Sequence, residues 1–199
     1  KIVENRTVPT IKNPRLKVEA VVSGLDFPTS MAFLGPDDLL ILEKNKGTIR
    51  RVMDGTLLPN PILDVNVGTL SDRGMLGIAV SKQEGSDKNV FVYFTEVSTK
   101  NDSGIEENGT NNNDTNATKE LISNRLYRYK LINDNLTDPK LLIDIPAKVY
   151  GQKSLGLHNG GKTIIGPDDN VYLIIGDIGG FRTETQNVPD IIPMNATSV

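Results

Sequence analysis

The chain has 199 residues, 37% of them hydrophobic and 24% charged, with a formal net charge of −3. That balance excludes wholesale disorder and leaves no basic face for a general nucleic-acid binder. No run approaches the ~20 apolar residues that cross a bilayer as a helix. The absence of cysteine excludes disulfides, thiolate metal sites and cysteine nucleophiles.

Residues 1–19 read as an N-terminal extension without an apolar leader core; either a leader has been removed or the sequence begins late. From residue 20 onward the signals are almost all β. Short runs of Val, Ile, Leu, Phe and Tyr end at clusters of Gly, Pro, Asn and Asp, and no helix is convincing. The segment 31–43 reads as strand, turn, strand. Its turn is Gly35-Pro36-Asp37-Asp38, in which Pro presets φ and Asp bonds back to the backbone. A third strand over 47–55 ends at Asp54-Gly55, and Pro61 to Val65 makes a fourth. The pattern then returns. Gly74 to Val80 and Asn89 to Thr95 form a hairpin, and a polar insertion covers 98–123. Asn124 to Leu131 takes the third position, with Asp134-Asn135 as its turn, and Asp138 to Ile145 echoes the stretch from Pro59 to Val65. A last hairpin spans Gly160 to Ile175, and its Gly166-Pro167-Asp168-Asp169 repeats the first turn residue for residue.

Four short strands recurring about every 45 residues, the insertion discounted, are the blade period of a propeller. A blade cannot bury both faces alone, so neighbours must stack around a channel. The expected fold is therefore all-β, a β-propeller of four-stranded antiparallel blades. Residues 20–199 hold two complete blades and the start of a third, fewer than the four or so that close a ring. The rest lies on another polypeptide, or the sequence is a fragment, or the strands close as a smaller sandwich.

Asn-x-Ser/Thr triplets begin at Asn5, Asn101, Asn108, Asn113, Asn116, Asn135 and Asn195, and four of the seven crowd the insertion. One reading is an Asn/Thr-rich loop with accidental sequons. The other, which we take, is an extracellular or cell-surface protein whose N-linked glycans keep a long loop soluble.

His158 is the only histidine, set in Gly156-Leu-His-Asn-Gly-Gly-Lys162. The two glycines permit close approach of a ligand, and imidazole suits proton transfer near neutral pH. One histidine and no cysteine cannot make an ordinary zinc site, and no phosphate loop or nucleophile elbow is present.

The loop from His158 to Lys162, followed by Gly166-Pro-Asp-Asp-x-Val-Tyr172 and Gly176-Asp177, resembles the catalytic-blade motif of the soluble quinoprotein glucose/sorbosone dehydrogenases. Leu25 to Phe33 with Leu39 to Glu43 resembles that family's first blade, and Asp72 to Ala79 the opening of its second. The motifs occur in family order across residues 20–180. The resemblance implies a six-bladed propeller, of which this chain holds about the first half. It implies oxidation of an aldose or related polyol, with hydride transfer to pyrroloquinoline quinone, calcium as the second cofactor and an external electron acceptor. His158 matches the general base that takes the sugar C1 hydroxyl proton, and Asp177 the acidic residue that orients it or contacts substrate. Arg73, Asn159 and Gly160 are the expected cofactor contacts. Arg73 would polarise the quinone oxygen or pair with a carboxylate; its alternative is a rim arginine paired with Asp72. No calcium ligand is assignable in the chain. Leu157 stands where sugar-oxidising relatives carry Asp, and residues 178–183 lack their polar run, for which Gln186 or Asn187 would compensate. These departures favour a second reading, a propeller without chemistry that binds glycans or proteins or serves as a surface glycoprotein.

Overall fold

The computed structural model describes residues 11–69, 71–81, 88–98, 123–147 and 158–176. Every regular element among them is a strand. The first sheet holds β1 (Pro28–Gly35), β2 (Asp38–Glu43), β3 (Thr48–Met53) and two short pieces, β4 (Thr56–Leu57) and β5 (Leu63–Asp64), both paired with β3. The second sheet runs β6 (Met75–Val80), β7 (Asn89–Glu96), β8 (Ser123–Ile132) and β9 (Asn135–Pro146), and β10 (Lys162–Ile165) with β11 (Val171–Ile174) forms a hairpin. All pairings are antiparallel. The sheets stack through their first strands, β1 against β6 and β6 against β10, as the repeat predicts for blades around a channel.

Two-residue alternation explains why the blades stack. In β2, Leu40 and Leu42 point one way and join Ile49 and, from the second blade, Ile78, Val92 and Phe94 in the main core. Leu39 and Ile41 point the other way and are covered by Val22, Leu25 and Leu57. Each of these side chains contributes about 1.5–3 kcal/mol when fully buried, which a single blade could not collect on both faces. Polar links cross the same seam. Thr29 Oγ1 donates to Met75 O at 2.7 Å, Leu136 N to Ile62 O at 3.1 Å, and Arg51 joins Asp38 of its own blade to Asp134 of the next.

Three local expectations change. The fourth strand of the first blade is split into β4 and β5, because Pro59 and Pro61 between them cannot donate to the ladder. The β8–β9 turn is Asn133-Asp134 rather than Asp134-Asn135. Both residues have positive φ (46° and 62°), as a two-residue type I′ loop demands, and Asn135 already pairs with Ile132. The two Gly-Pro-Asp-Asp turns also differ. Gly35 pairs directly with Asp38, whereas Gly166 N reaches Asn170 O at 2.9 Å across a wider loop. Asp38 is held in its strand by a two-pronged bond from Arg51, Nε to Oδ1 at 2.8 Å and Nη2 to Oδ2 at 2.6 Å. In the second turn Asp168, the equivalent of Asp37, caps its own loop, accepting from Asn170 N at 3.2 Å. The insertion at 98–123 falls, apart from its end residues, outside the described residues, as do all the sequons but Asn135, which is exposed.

Candidate functional site

The second blade has one apolar face and one mixed face. Val90, Val92 and Phe94 of β7 turn to the main core, so alternation sends Tyr93 and Thr95 the other way, toward β10. There Gly77 of β6 lets the next hairpin come close: a Cβ on Gly77 would lie 1.8 Å from Gly161 O and 2.5 Å from Thr163 Oγ1. The loop ahead of β10, residues 158–161, is thereby laid on the mixed face.

What holds that loop is a set of hydrogen bonds centred on Asn159, which has no exposed surface. Its N–H donates to Asp72 Oδ2 at 2.9 Å and its Nδ2 to Asp72 Oδ1 at 2.9 Å, so one carboxylate grips backbone and side chain together. Its carbonyl accepts from Tyr93 Oη at 3.0 Å, and its Oδ1 from Asn124 Nδ2 at 2.8 Å. Thr95 Oγ1 completes the chain, donating to Asn124 Oδ1 at 2.7 Å. Buried polar groups satisfied this fully rigidify a site. Burial, with the Asp72 charge adding to it, pushes the Tyr93 hydroxyl well above its ordinary range, so it stays a donor. Lys44, whose Nζ donates to Ser71 O at 2.8 Å, is lowered by burial, with Asp72 partly opposing.

His158 stands next to this clamp but on its open side: the residue is exposed while Asn159 is fully buried. Its φ of 64° lies in the left-handed region, which costs a non-glycine residue about 1–2 kcal/mol and persists only where surroundings impose it. They do: a Cβ on Gly176 would lie 2.0 Å from His158 O, so only glycine fits behind the histidine. Gly160 is exposed beside it.

The structure thus brings His158, Asn159 and Gly160 into one loop, with Asp72 as its anchor. Arg73 follows that anchor in the chain but is 1% exposed, and its Nη2 donates to Ala147 O at 3.3 Å. It is a buried arginine rather than one at the rim. Asp177 lies outside the described residues. Among the described residues no group of three or more His, Cys, Asp or Glu gathers to hold a metal ion. Sequence reasoning missed Asn124, Thr95 and Tyr93. The available signal was polarity: Asn is disfavoured in strands, and Asn124 is the second residue of β8.

Comparison with known proteins follows the same residues. Positions 25–191 match the glucose/sorbosone dehydrogenase family model. An uncharacterized protein of Synechocystis sp. is 30% identical over 182 residues, covering 87% of this chain and 38% of its own length. Among solved structures, the quinone (PQQ)-bound aldose sugar dehydrogenase of Streptomyces coelicolor is similar with a TM-score of 0.58 at 26% identity. An oxidoreductase of the glucose dehydrogenase type from Thermus thermophilus gives 0.59 at 24% identity. Each match covers 81% of this chain and 41% of the solved one. The neighbours are β-propeller dehydrogenases, and the chain spans about two fifths of the length of the relatives it matches.

Proposed function

Because the chain belongs to the glucose/sorbosone dehydrogenase family, we propose that the protein oxidises an aldose or related polyol, with His158 as general base and pyrroloquinoline quinone as hydride acceptor. The observation that carries this reading is the exposed imidazole on a loop whose next residue is fully buried and hydrogen-bonded through its backbone and side chain. A base must be accessible and must not wander, and this arrangement supplies both.

The described residues offer the quinone one exposed loop. His158 and Gly160 are exposed on the loop before β10 and would face the quinone, while the missing side chain of Gly160 admits the backbone of residues 174–176. Arg73 remains a proposed cofactor contact on the family resemblance alone, its guanidinium buried and donating to Ala147 O. Among the described residues no cluster of carboxylates gathers that would hold calcium.

When bound, the quinone supplies a two-electron acceptor that an external acceptor then regenerates. His158 accepts the proton of the C1 hydroxyl as the C1–H bond gives up its hydride. The oxygen lone pair becomes the second bond of a carbonyl, so no free cation forms on the sugar. The loop clamp holds the backbone that carries the imidazole through this transfer. Asp177 would orient the imidazole from the following segment. The sequons, including exposed Asn135, support an extracellular site of action.

The test is titration of the full-length protein with pyrroloquinoline quinone and calcium, followed by an aldose, with quinone absorbance recorded. Saturable binding and sugar-dependent reduction are expected. A folded protein that binds no quinone overturns the proposal.

A further inference from the structure

The hydrogen bonds beneath His158 run in one direction only. An ionised carboxylate accepts and cannot donate, so Asn159 must turn its Nδ2 toward Asp72. That leaves Asn159 Oδ1 to accept from Asn124 Nδ2, which leaves Asn124 Oδ1 to accept from the Thr95 hydroxyl. Asn159, Asn124 and Thr95 are each 0% exposed, so water cannot substitute for a wrong orientation. The relay joins the loop before β6, the strands β7 and β8, and the loop before β10. Its end point matters most: the N–H gripped by Asp72 belongs to the peptide group between His158 and Asn159.

We propose that Asp72 and Asn124 are positioning residues for the His158 base, acting through a one-way relay Thr95 → Asn124 → Asn159 → Asp72 that sets the peptide plane next to the imidazole. The inference rests on the reading of His158 as base. It adds that the negative charge at Asp72 chooses the orientation of two amides, and that Asn124, on a different strand, is needed to keep it.

The relay's polarity can be reversed with isosteric side chains. In Asn124→Asp a carboxylate oxygen faces Asn159 Oδ1 and no amide flip relieves it, whereas Asp72→Asn is accommodated only if both amides flip and the Thr95 hydroxyl accepts instead of donating. Together the two changes repair the chain. An amide nitrogen at position 72 donates to a flipped Asn159 Oδ1, the amide oxygen still accepts from Asn159 N–H, and Asn159 Nδ2 donates to a carboxylate at 124 that also accepts from Thr95. Net charge and volume are unchanged.

The experiment compares the full-length parent, both single variants and the double variant, each loaded with pyrroloquinoline quinone and calcium. Two quantities are read: kcat and KM for sugar-dependent dye reduction, and hydrogen–deuterium exchange of the peptide holding residues 158–161. Asn124→Asp should lose about 10- to 100-fold in kcat, as supporting-shell changes typically do, and Asp72→Asn a smaller factor, each with KM within about threefold and faster exchange. The double variant should return both readings to within about threefold of the parent, an energetic coupling that packing alone would not give. Asn124→Asp indistinguishable from the parent, or a double as impaired as the two losses combined, overturns the relay. If the parent itself shows no sugar turnover, the proposed function fails while the exchange pattern still decides the relay. Should a single variant not fold, Thr95→Val, which removes only the first donor, carries the same prediction at about 3- to 10-fold in kcat.

Discussion

Gly77 and Gly161 meet where the second blade receives the third, and their lack of side chains is what lets the His158 loop touch the second blade at all. A Cβ on Gly161 would lie 2.6 Å from Leu76 Cβ and 2.8 Å from Tyr93 Cδ1, and one on Gly77 would strike Gly161 O. Gly77→Ala should therefore destabilise by about 3 kcal/mol, at the upper end for overpacking, because the obstacle is backbone. A lowered denaturation midpoint with unchanged slope checks this; an unchanged midpoint contradicts the contact. Much of the site was legible at this level. A lone histidine followed by Asn-Gly-Gly pointed to a close-approach loop, and the structure places all three of His158, Asn159 and Gly160 there. Asn124 was not legible, because its importance comes from register: Thr95 and Asn124 are opposite partners in β7 and β8, a pairing that spans the insertion.

The hairpin turns show how far local chemistry carries. Asp54-Gly55 reads as a strand end in the sequence and is a two-residue loop with φ of 50° and 71° between paired Met53 and Thr56. Nothing lies within 4 Å of a Cβ on Gly55, so Gly55→Ala isolates the conformational term and should cost about 1 kcal/mol by chemical denaturation. Gly166 to Asp169 shows the limit: identical residues form a wider loop, in which the first Asp, Asp168, bonds to Asn170, whereas in the first turn the second Asp, Asp38, is fixed by Arg51. The β2–β3 turn adds a pH dependence. Glu43, 1% exposed, accepts from Asp26 N at 2.9 Å and Thr48 Oγ1 at 2.7 Å. Burial alone would raise its carboxyl, but these bonds and the charges of Lys46 and Arg50 outweigh burial and hold it below its ordinary value. A lowered carboxylate contributes stability above its unfolded value and loses it as pH falls through the folded one. Glu43→Gln should therefore cost about 1.5 kcal/mol at pH 7 yet lose less than the parent below about pH 4. Parallel pH–stability curves for the two proteins would contradict that role.

Blade stacking is the level at which the repeat spoke most clearly, since alternating apolar runs on a fixed period dictate sheets that bury both faces against neighbours. What the repeat could not reveal is the polar stitching between blades. Arg51, 8% exposed, joins Asp38 to Asp134 across the seam, an arrangement that depends on where the β8–β9 turn lands. Arg51→Ala should destabilise by about 2 kcal/mol, less than for a fully buried pair because Asp134 is largely exposed, and denaturant titration measures it. The proposed function depends on the same stacking, because the His158 loop belongs to the third hairpin while its clamp belongs to the second blade. The most direct test is single-turnover reduction of the bound quinone by an aldose in His158→Ala. Loss of about 10²- to 10⁴-fold in rate with quinone affinity unchanged is the result expected of a missing general base. An unchanged rate would contradict it and remove His158 from the chemistry.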